Sequence, residues 1–439
     1  MLSEANRMHY KLSCPVCELD FEDDGVTLAC PRPHAPALLT TRYAARTFEC
    51  DAAASGIDRY QSWLPGSKRL AQAPRSVTYQ SEQLNTILNL PNLWIAFSGY
   101  WPERGAHLET ATFKELEVSG VLSRISADNV RALVVASAGN TAAAFARACS
   151  ETDLPCLIVV PAIGMGRMRF AKPLRPCVRI VCLTGAAYAD AITFSERIAQ
   201  QDGFVCEGGV KNIGRRDGMA TAMLTAVEAI GKLPDYYFQA IGSGAGAIAA
   251  HEASKRLVED SRFGEVLPRL MLSQNLPFTP IYDSWKRGSR EFMSVDTIAG
   301  RSLSEQIVAS VLSNQRPPYS IAGGMFDVLS ESRGGMFAVR NDEVLQALKF
   351  FETCERIDID PAAGVALASL IQAANSGEID RKATILLHIT GGGARKRAIE
   401  QTLLPARPDL EISLNQLESE QALVNACALF AGRNACQLT

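Results

Sequence analysis

One lysine, three glycine-rich turns and a cysteine–histidine spacing are the parts of this sequence able to do chemistry. The lysine is Lys114 in GYWPERGAHLETATFKELEVSG, directly after Phe113 and at the mouth of a predicted helix. On a solvated helix face it is only a surface charge. In apolar surroundings beside an aldehyde its ammonium form is disfavoured, and the amine can attack and form a Schiff base. Glu115 and Glu117 read as first-turn acids favoured by the helix dipole.

The turns are SAGNT (137–141), GSGAG (242–246) and TGGG (390–393), each between a predicted strand and a predicted helix. Such a junction points backbone N–H groups out of a positive helix end, where anions are held. A single glycine turn is weak evidence, because tight turns need glycine anyway. Three at the carboxyl ends of strands in one chain predict a shared ligand crevice. Gly242, Gly244 and Ala247 also fit the relaxed dinucleotide spacing. That reading wants an acid at the end of the next strand, and PRLMLSQN ends in polar neutral residues instead. The G-x-S-x-G elbow does not surround Ser243, and no phosphate loop carries a glycine–lysine pair.

Cys14-x2-Cys17-x12-Cys30-x3-His34 has zinc-ribbon-like spacing. Three thiolates and an imidazole would make a closed, structural site with no open position for catalysis. The segment CPRPH lacks the second CxxC that would make the motif strong, and Cys50 competes for the fourth position.

The elements that must position these residues follow an α/β pattern. ALVVA, LPCLIVVP, RIVCLTG, YYFQAIG and TILLHIT are apolar runs, each followed by a turn signal and a helical stretch. Such alternation predicts parallel sheets covered on both faces. Residues 284–320 read as a long excursion, and the tail after Leu404 as helical, with Cys427 and Cys436. The net charge of −3 gives no reason to expect nucleic acid or an acidic membrane as partner. No apolar run is long enough to span a membrane and no signal-peptide core is evident, so the expected compartment is the cytoplasm. There the twelve cysteines are expected as thiols rather than disulfides.

The order Phe-Lys, Ser-x-Gly-Asn-Thr, glycine loop and Thr-Gly resembles pyridoxal-phosphate enzymes of the tryptophan synthase β/threonine synthase class. GYWPERGA, FKELE, VVASAGNT, EGGVKNIGRRDGMAT, LPDYYFQAIGSGAGAIAA and ITGGG are most similar to the cysteate synthase family within it. The resemblance implies two parallel-sheet α/β domains with the cofactor in the cleft. The larger would comprise 51–120 and 225–404, and the smaller 121–224. A zinc-ribbon-like module (1–50) and a helical tail (405–439) would complete the chain.

Carried over by motif, Lys114 would be the Schiff-base lysine. Asn140 would hydrogen-bond the cofactor's phenolic oxygen, unless it is simply a helix N-cap. Gly242, Ser243, Gly244, Ala245 and Gly246 would cradle its phosphate, and Thr390 would face its pyridine nitrogen. Ser137, Ala138 and Thr141 would receive the substrate carboxylate. The implied reaction is a β-replacement, O-phospho-L-serine plus sulfite giving L-cysteate and phosphate, with Lys114 removing and returning the α-proton. Since leaving group and nucleophile are both anions, Arg104, Lys211, Arg215 and Arg216 are the candidate clamps. The class habit is a homodimer. The competing readings are a threonine synthase-type or other β-replacement with a different nucleophile, and a non-catalytic ligand-binding α/β protein.

Overall fold

ILLHI, YYFQA and CLIVVP are buried along their whole length. Strands hidden on both faces need helices above and below, and continuous apolar runs with no polar alternation encode that arrangement. A computed structural model describes residues 9–66, 73–125, 130–295 and 297–431. It divides into two units, residues 1–124 with 210–396, and residues 125–209 with 397–439.

In the larger unit a six-stranded sheet runs in the order Gly335–Val339, Arg269–Asn275, Tyr236–Ala240, Ile385–Ile389, Leu93–Phe97 and Val77–Gln80. All neighbours are parallel except the last pair, where Val77–Gln80 forms an antiparallel edge. The Cys-rich start adds a three-stranded antiparallel sheet, with Tyr10–Ser13 between Asp20–Phe21 and Thr40–Tyr43. Residues 284–320 contain helical turns and loops, and they return to the glycine turn at 242–244, where Leu312 backs Gly242.

The smaller unit has a five-stranded parallel sheet, ordered Phe204–Cys206, Ala132–Ala136, Cys156–Pro161, Val178–Thr184 and Leu410–Ser413. Its last strand comes from the carboxyl-terminal segment, expected as a purely helical tail. Ile412 alone of that strand is buried, so the strand carries too little apolar pattern to be read from sequence. The helix Glu420–Ala428 covers the same sheet. Cys436 lies outside the described residues, and the eleven described cysteines are free thiols. Among the described residues no helix is long and apolar enough to cross a membrane.

The lysine helix, Lys114–Arg124, packs along the helix Ile213–Ile230. Their backbones touch: a Cβ at Gly120 would stand 2.0 Å from the Gly214 carbonyl oxygen, and one at Gly218 would stand 2.1 Å from that of Leu116. Buried charges fix the register of this seam. Arg124 donates to both oxygens of Asp23 at 2.7 and 2.6 Å and to Asn212 at 2.6 Å, with Arg124 and Asp23 side chains fully enclosed. Tyr10 donates a further bond to Asp23 at 2.7 Å. Gly120→Ala is therefore expected to force the helices apart and cost ~1–3 kcal/mol. Urea unfolding should show a lower midpoint at unchanged slope.

Candidate active site

Lys114 is the first residue of its helix because the preceding segment is held by another strand's exit. Phe113 N–H donates to the Thr390 carbonyl at 2.9 Å, and Thr112 pairs with Gly391 in an antiparallel bridge. The TGGG turn thus positions the lysine through backbone contacts alone. Lys114 Nζ lies 4.6 Å from the Phe113 ring centroid and 3.1 Å from Glu117 Oε2, with its side chain 20% exposed. Thr390, expected at the pyridine nitrogen, is buried at the end of Ile385–Ile389.

The glycine turn follows the neighbouring strand, Tyr236–Ala240, and opens the helix Ala245–Asp260. Gly244 caps that helix at φ +81°, a conformation glycine adopts without strain. A Cβ there would also stand 2.2 Å from Met325 Sδ, and one at Gly246 would meet Gln239 at 2.5 Å and Phe113 at 3.0 Å. The turn is therefore seated against the lysine's own neighbour. Ser243 Oγ accepts from Ala245 N–H at 3.4 Å. A helix start leaves the N–H groups of its first turn without intrahelical partners, the arrangement that suits an anion.

Beneath these segments runs a polar chain the sequence did not advertise. Ser98 Oγ lies 2.9 Å from His388 Nε2, and Tyr237 O–H is 2.8 Å from His388 Nδ1. Tyr237 in turn donates to Gln239 at 2.7 Å. Burial pushes His388 down to about 3, so the ring stays neutral and holds position rather than charge. The Phe113 ring meets His388 edge-on at 5.6 Å.

In the smaller unit Gly139 stands at the N-cap of the helix Asn140–Thr152, and Ser137 reaches over its first turn. Ser137 Oγ accepts from Gly139 N–H at 2.9 Å and Ala142 N–H at 2.8 Å. Asn140 is the first helical residue, so the simple N-cap reading fails, and its Oδ1 accepts from Arg167 Nη1 at 3.2 Å. Ala138 and Thr141 complete the turn, with Thr141 buried. Arg167 was missed, since GMGRM carries no pattern that would single it out.

Two of the four expected cationic clamps, Arg215 and Arg216, are buried and engaged by protein acceptors. Arg104 lies 4.1 Å from the Tyr79 ring centroid and 4.7 Å from that of Trp101, with Glu355 at 3.9 Å, and its side chain is 42% exposed. Arg216 is almost fully buried and donates to both oxygens of Glu252 at 3.1 Å and to the Val210 and Leu39 carbonyls. These contacts correct the Arg216 assignment, because a guanidinium used up by protein acceptors has no donor edge for a substrate anion. Arg215 is buried and donates to Glu117 at 3.1 Å. Lys211 stands exposed at the end of the turn Gly209–Lys211, and Arg104 is exposed as well.

In the Cys-rich module the ligand atoms of Cys14, Cys17, Cys30 and His34 all lie within 4.8 Å of one another. His34 Nδ1 donates to the Ala35 carbonyl at 2.7 Å, which turns Nε2 toward Cys14 Sγ at 3.2 Å. The Leu19 N–H leads the influences that bring Cys17 down to about 7. Cys50 is outside this group, beside Glu228 and with its thiol pushed up by burial, so it does not compete for the fourth position.

The large-unit residues fit pyridoxal phosphate. A side-chain-free turn at a helix start suits a phosphate, a buried neutral hydroxyl suits a ring nitrogen, and a half-shielded amine suits an aldehyde. The family model for pyridoxal-phosphate dependent enzymes matches residues 96–391. Serine racemase of maize shares the fold (TM-score 0.56, 17% identity, covering 73% of this chain and 89% of the racemase). So does a threonine deaminase of Solanum lycopersicum (TM-score 0.55, 18% identity, covering 74% and 87%). The fold and site thus define a fold type II enzyme whose cofactor is pyridoxal phosphate. Cysteate synthase of Methanoculleus marisnigri is 45% identical over 409 residues, 92% of this chain and 94% of that protein. That of Methanosarcina acetivorans is 44% identical over 360 residues, 82% and 86% respectively. The chain belongs to the cysteate synthase family.

Gly244→Ala is expected to weaken cofactor binding at least ~10-fold, since the added methyl clashes with Met325 and strains the turn. Titrating the apoprotein with pyridoxal phosphate and following visible absorbance checks this.

Proposed function

We propose that the protein makes L-cysteate from O-phospho-L-serine and sulfite, releasing phosphate. The observation that carries this reading is similarity to cysteate synthases at 40–45% identity over most of the chain. A lysine at the start of a buried helix beside a glycine turn supports the same reading. When bound, the cofactor supplies the electron sink that lets a Cα–H bond break. Lys114 Nζ is assigned to take that proton and later return it. The N–H groups of 242–246 are assigned to the cofactor's phosphate, Thr390 to its ring nitrogen and Asn140 to its phenolic oxygen. Ser137, Ala138 and Thr141 are assigned to the substrate carboxylate, where the N–H groups of a helix start favour an anion. Arg104 and Lys211 are the clamps retained for the anionic reactants. A homodimer belongs to the same reading, and light scattering on the purified protein measures it.

The test is to supply phosphoserine with sulfite, sulfide or amines, and O-phosphohomoserine alone. Cysteate and phosphate should appear only with phosphoserine and sulfite, and Lys114→Ala should abolish both. Threonine formed from phosphohomoserine without cysteate would reject the assignment.

The module's four donors are proposed to hold one structural zinc, on the strength of their convergence and the fixed His34 tautomer. The purified full chain is expected to carry about one zinc, to lose it in Cys17→Ser and to keep it in Cys50→Ser. Metal analysis by mass spectrometry reads all three. A zinc-free parent, or zinc lost from Cys50→Ser alone, would refute the site.

A further inference from the structure

Glu117 has the place of an ordinary helix-dipole acid in sequence, yet its side chain is 0% exposed. Its Oε2 accepts from Lys114 Nζ at 3.1 Å and from Arg215 Nη1 at 3.1 Å. Lys114 and Glu117 are three apart on one helix, so they share a face. Arg215 reaches them from the helix Ile213–Ile230, which lies against Glu117 so closely that a Cβ at Gly218 would be 3.2 Å from Glu117 Cα. The other acid at this helix start, Glu115, is turned to Thr110, whose hydroxyl donates to its Oε1 at 2.8 Å.

A buried carboxylate between two cations does two things. It favours the charged form of the amine, and it fixes where the amine points. The two cations share one oxygen, so they compete for it. Arg215 is permanently charged, and it therefore limits how firmly Glu117 holds an ammonium on Lys114.

We propose that Glu117 is the positioning residue and counter-ion of Lys114, and that Arg215 tempers its hold on the lysine's proton. The proposal deepens the proposed function, in which Lys114 takes and returns the α-proton. Too weak a hold would leave the amine a poor proton acceptor, and too strong a hold would keep it protonated when it must act as a base. When the amine is engaged elsewhere, Arg215 keeps the buried carboxylate paired.

Lys114 reactivity can be read in the apoprotein, without the reaction. The apoprotein is treated with trinitrobenzenesulfonate at pH 8, and labelling of the Lys114 peptide is followed by mass spectrometry. Only the neutral amine reacts. Glu117→Gln is expected to label ~5–10-fold faster than the parent and Arg215→Met several-fold slower, opposite signs that a general loosening of the seam does not give. Circular dichroism and the thermal midpoint establish that each variant is folded. If Glu117→Gln does not fold, the double variant Glu117→Gln/Arg215→Met, which removes both charges of the pair, takes its place and should also label faster than the parent. Equal labelling in all folded variants, or a change of the same sign in Glu117→Gln and Arg215→Met, would overturn the proposal. Absence of cysteate formation with the labelling pattern intact would reject the assigned reaction and leave this pairing standing.

Discussion

The close seam between the helices Lys114–Arg124 and Ile213–Ile230 is the constraint on which the rest of the large unit depends. Glycines at 120, 214 and 218 let the two backbones meet, and that closeness removes water from the charges along the seam. Once dry, every charge there needs a partner, because an unpaired buried ion costs several kcal/mol. The pairs are Arg124 with Asp23, Arg215 with Glu117, and Asp217 with Arg256 at 2.7 Å. Asp217 also accepts from Thr41 at 2.6 Å and Tyr43 at 2.8 Å. The Cys-rich module is therefore clamped to both helices of the seam, to the lysine helix through Asp23 and to the helix Ile213–Ile230 through Asp217. A structural metal in that module would stiffen the loop bearing Asp23, and so the far end of the lysine helix.

The sheet supplies the other half of the site by adjacency. Tyr236–Ala240 and Ile385–Ile389 are neighbouring parallel strands, so the turns leaving their carboxyl ends sit side by side. One turn becomes the glycine cradle and the other holds the segment before Lys114. The chain Ser98–His388–Tyr237–Gln239 crosses beneath them. A neutral histidine bonded at both nitrogens adds rigidity without adding a charge that would disturb the amine. The excursion at 284–320 has a comparable part: Leu312 and, just beyond it, Met325 press on the glycine turn from outside the sheet.

The α/β class, the three turns and Lys114 were legible in the sequence because each has a local signature: buried strands, glycine at helix starts, a Phe-Lys pair before a helix. The cysteine–histidine cluster was legible from spacing. What escaped was whatever depends on contacts distant along the chain. Glu117 looks like any first-turn acid until Arg215, about a hundred residues away, closes on it. His388 sits in ILLHI like an ordinary polar interruption of a strand. The strand Leu410–Ser413 is short, and most of its residues are not buried, because it forms the sheet edge.

The basic run KNIGRRDG shows why charge alone misleads. Read as a string, it is a cationic loop suited to phosphate or sulfite. In the structure Asn212 caps the helix Ile213–Ile230, accepting from Gly214 N–H at 3.0 Å, so everything after it is helical. Helical spacing sends Arg215, Arg216 and Asp217 about 100° apart, each to a different neighbour. Arg215 goes to Glu117 by the lysine, Arg216 to Glu252 and the module's backbone, and Asp217 to Arg256 and the module's hydroxyls. Three adjacent charges thus link three structural elements, and the loop expected to bind anions instead organises the helix seam. In the proposed reading the cofactor's phosphate falls to backbone N–H groups at a helix start. Their partial charge is fixed by the fold, so a phosphate held there would need no further side chain.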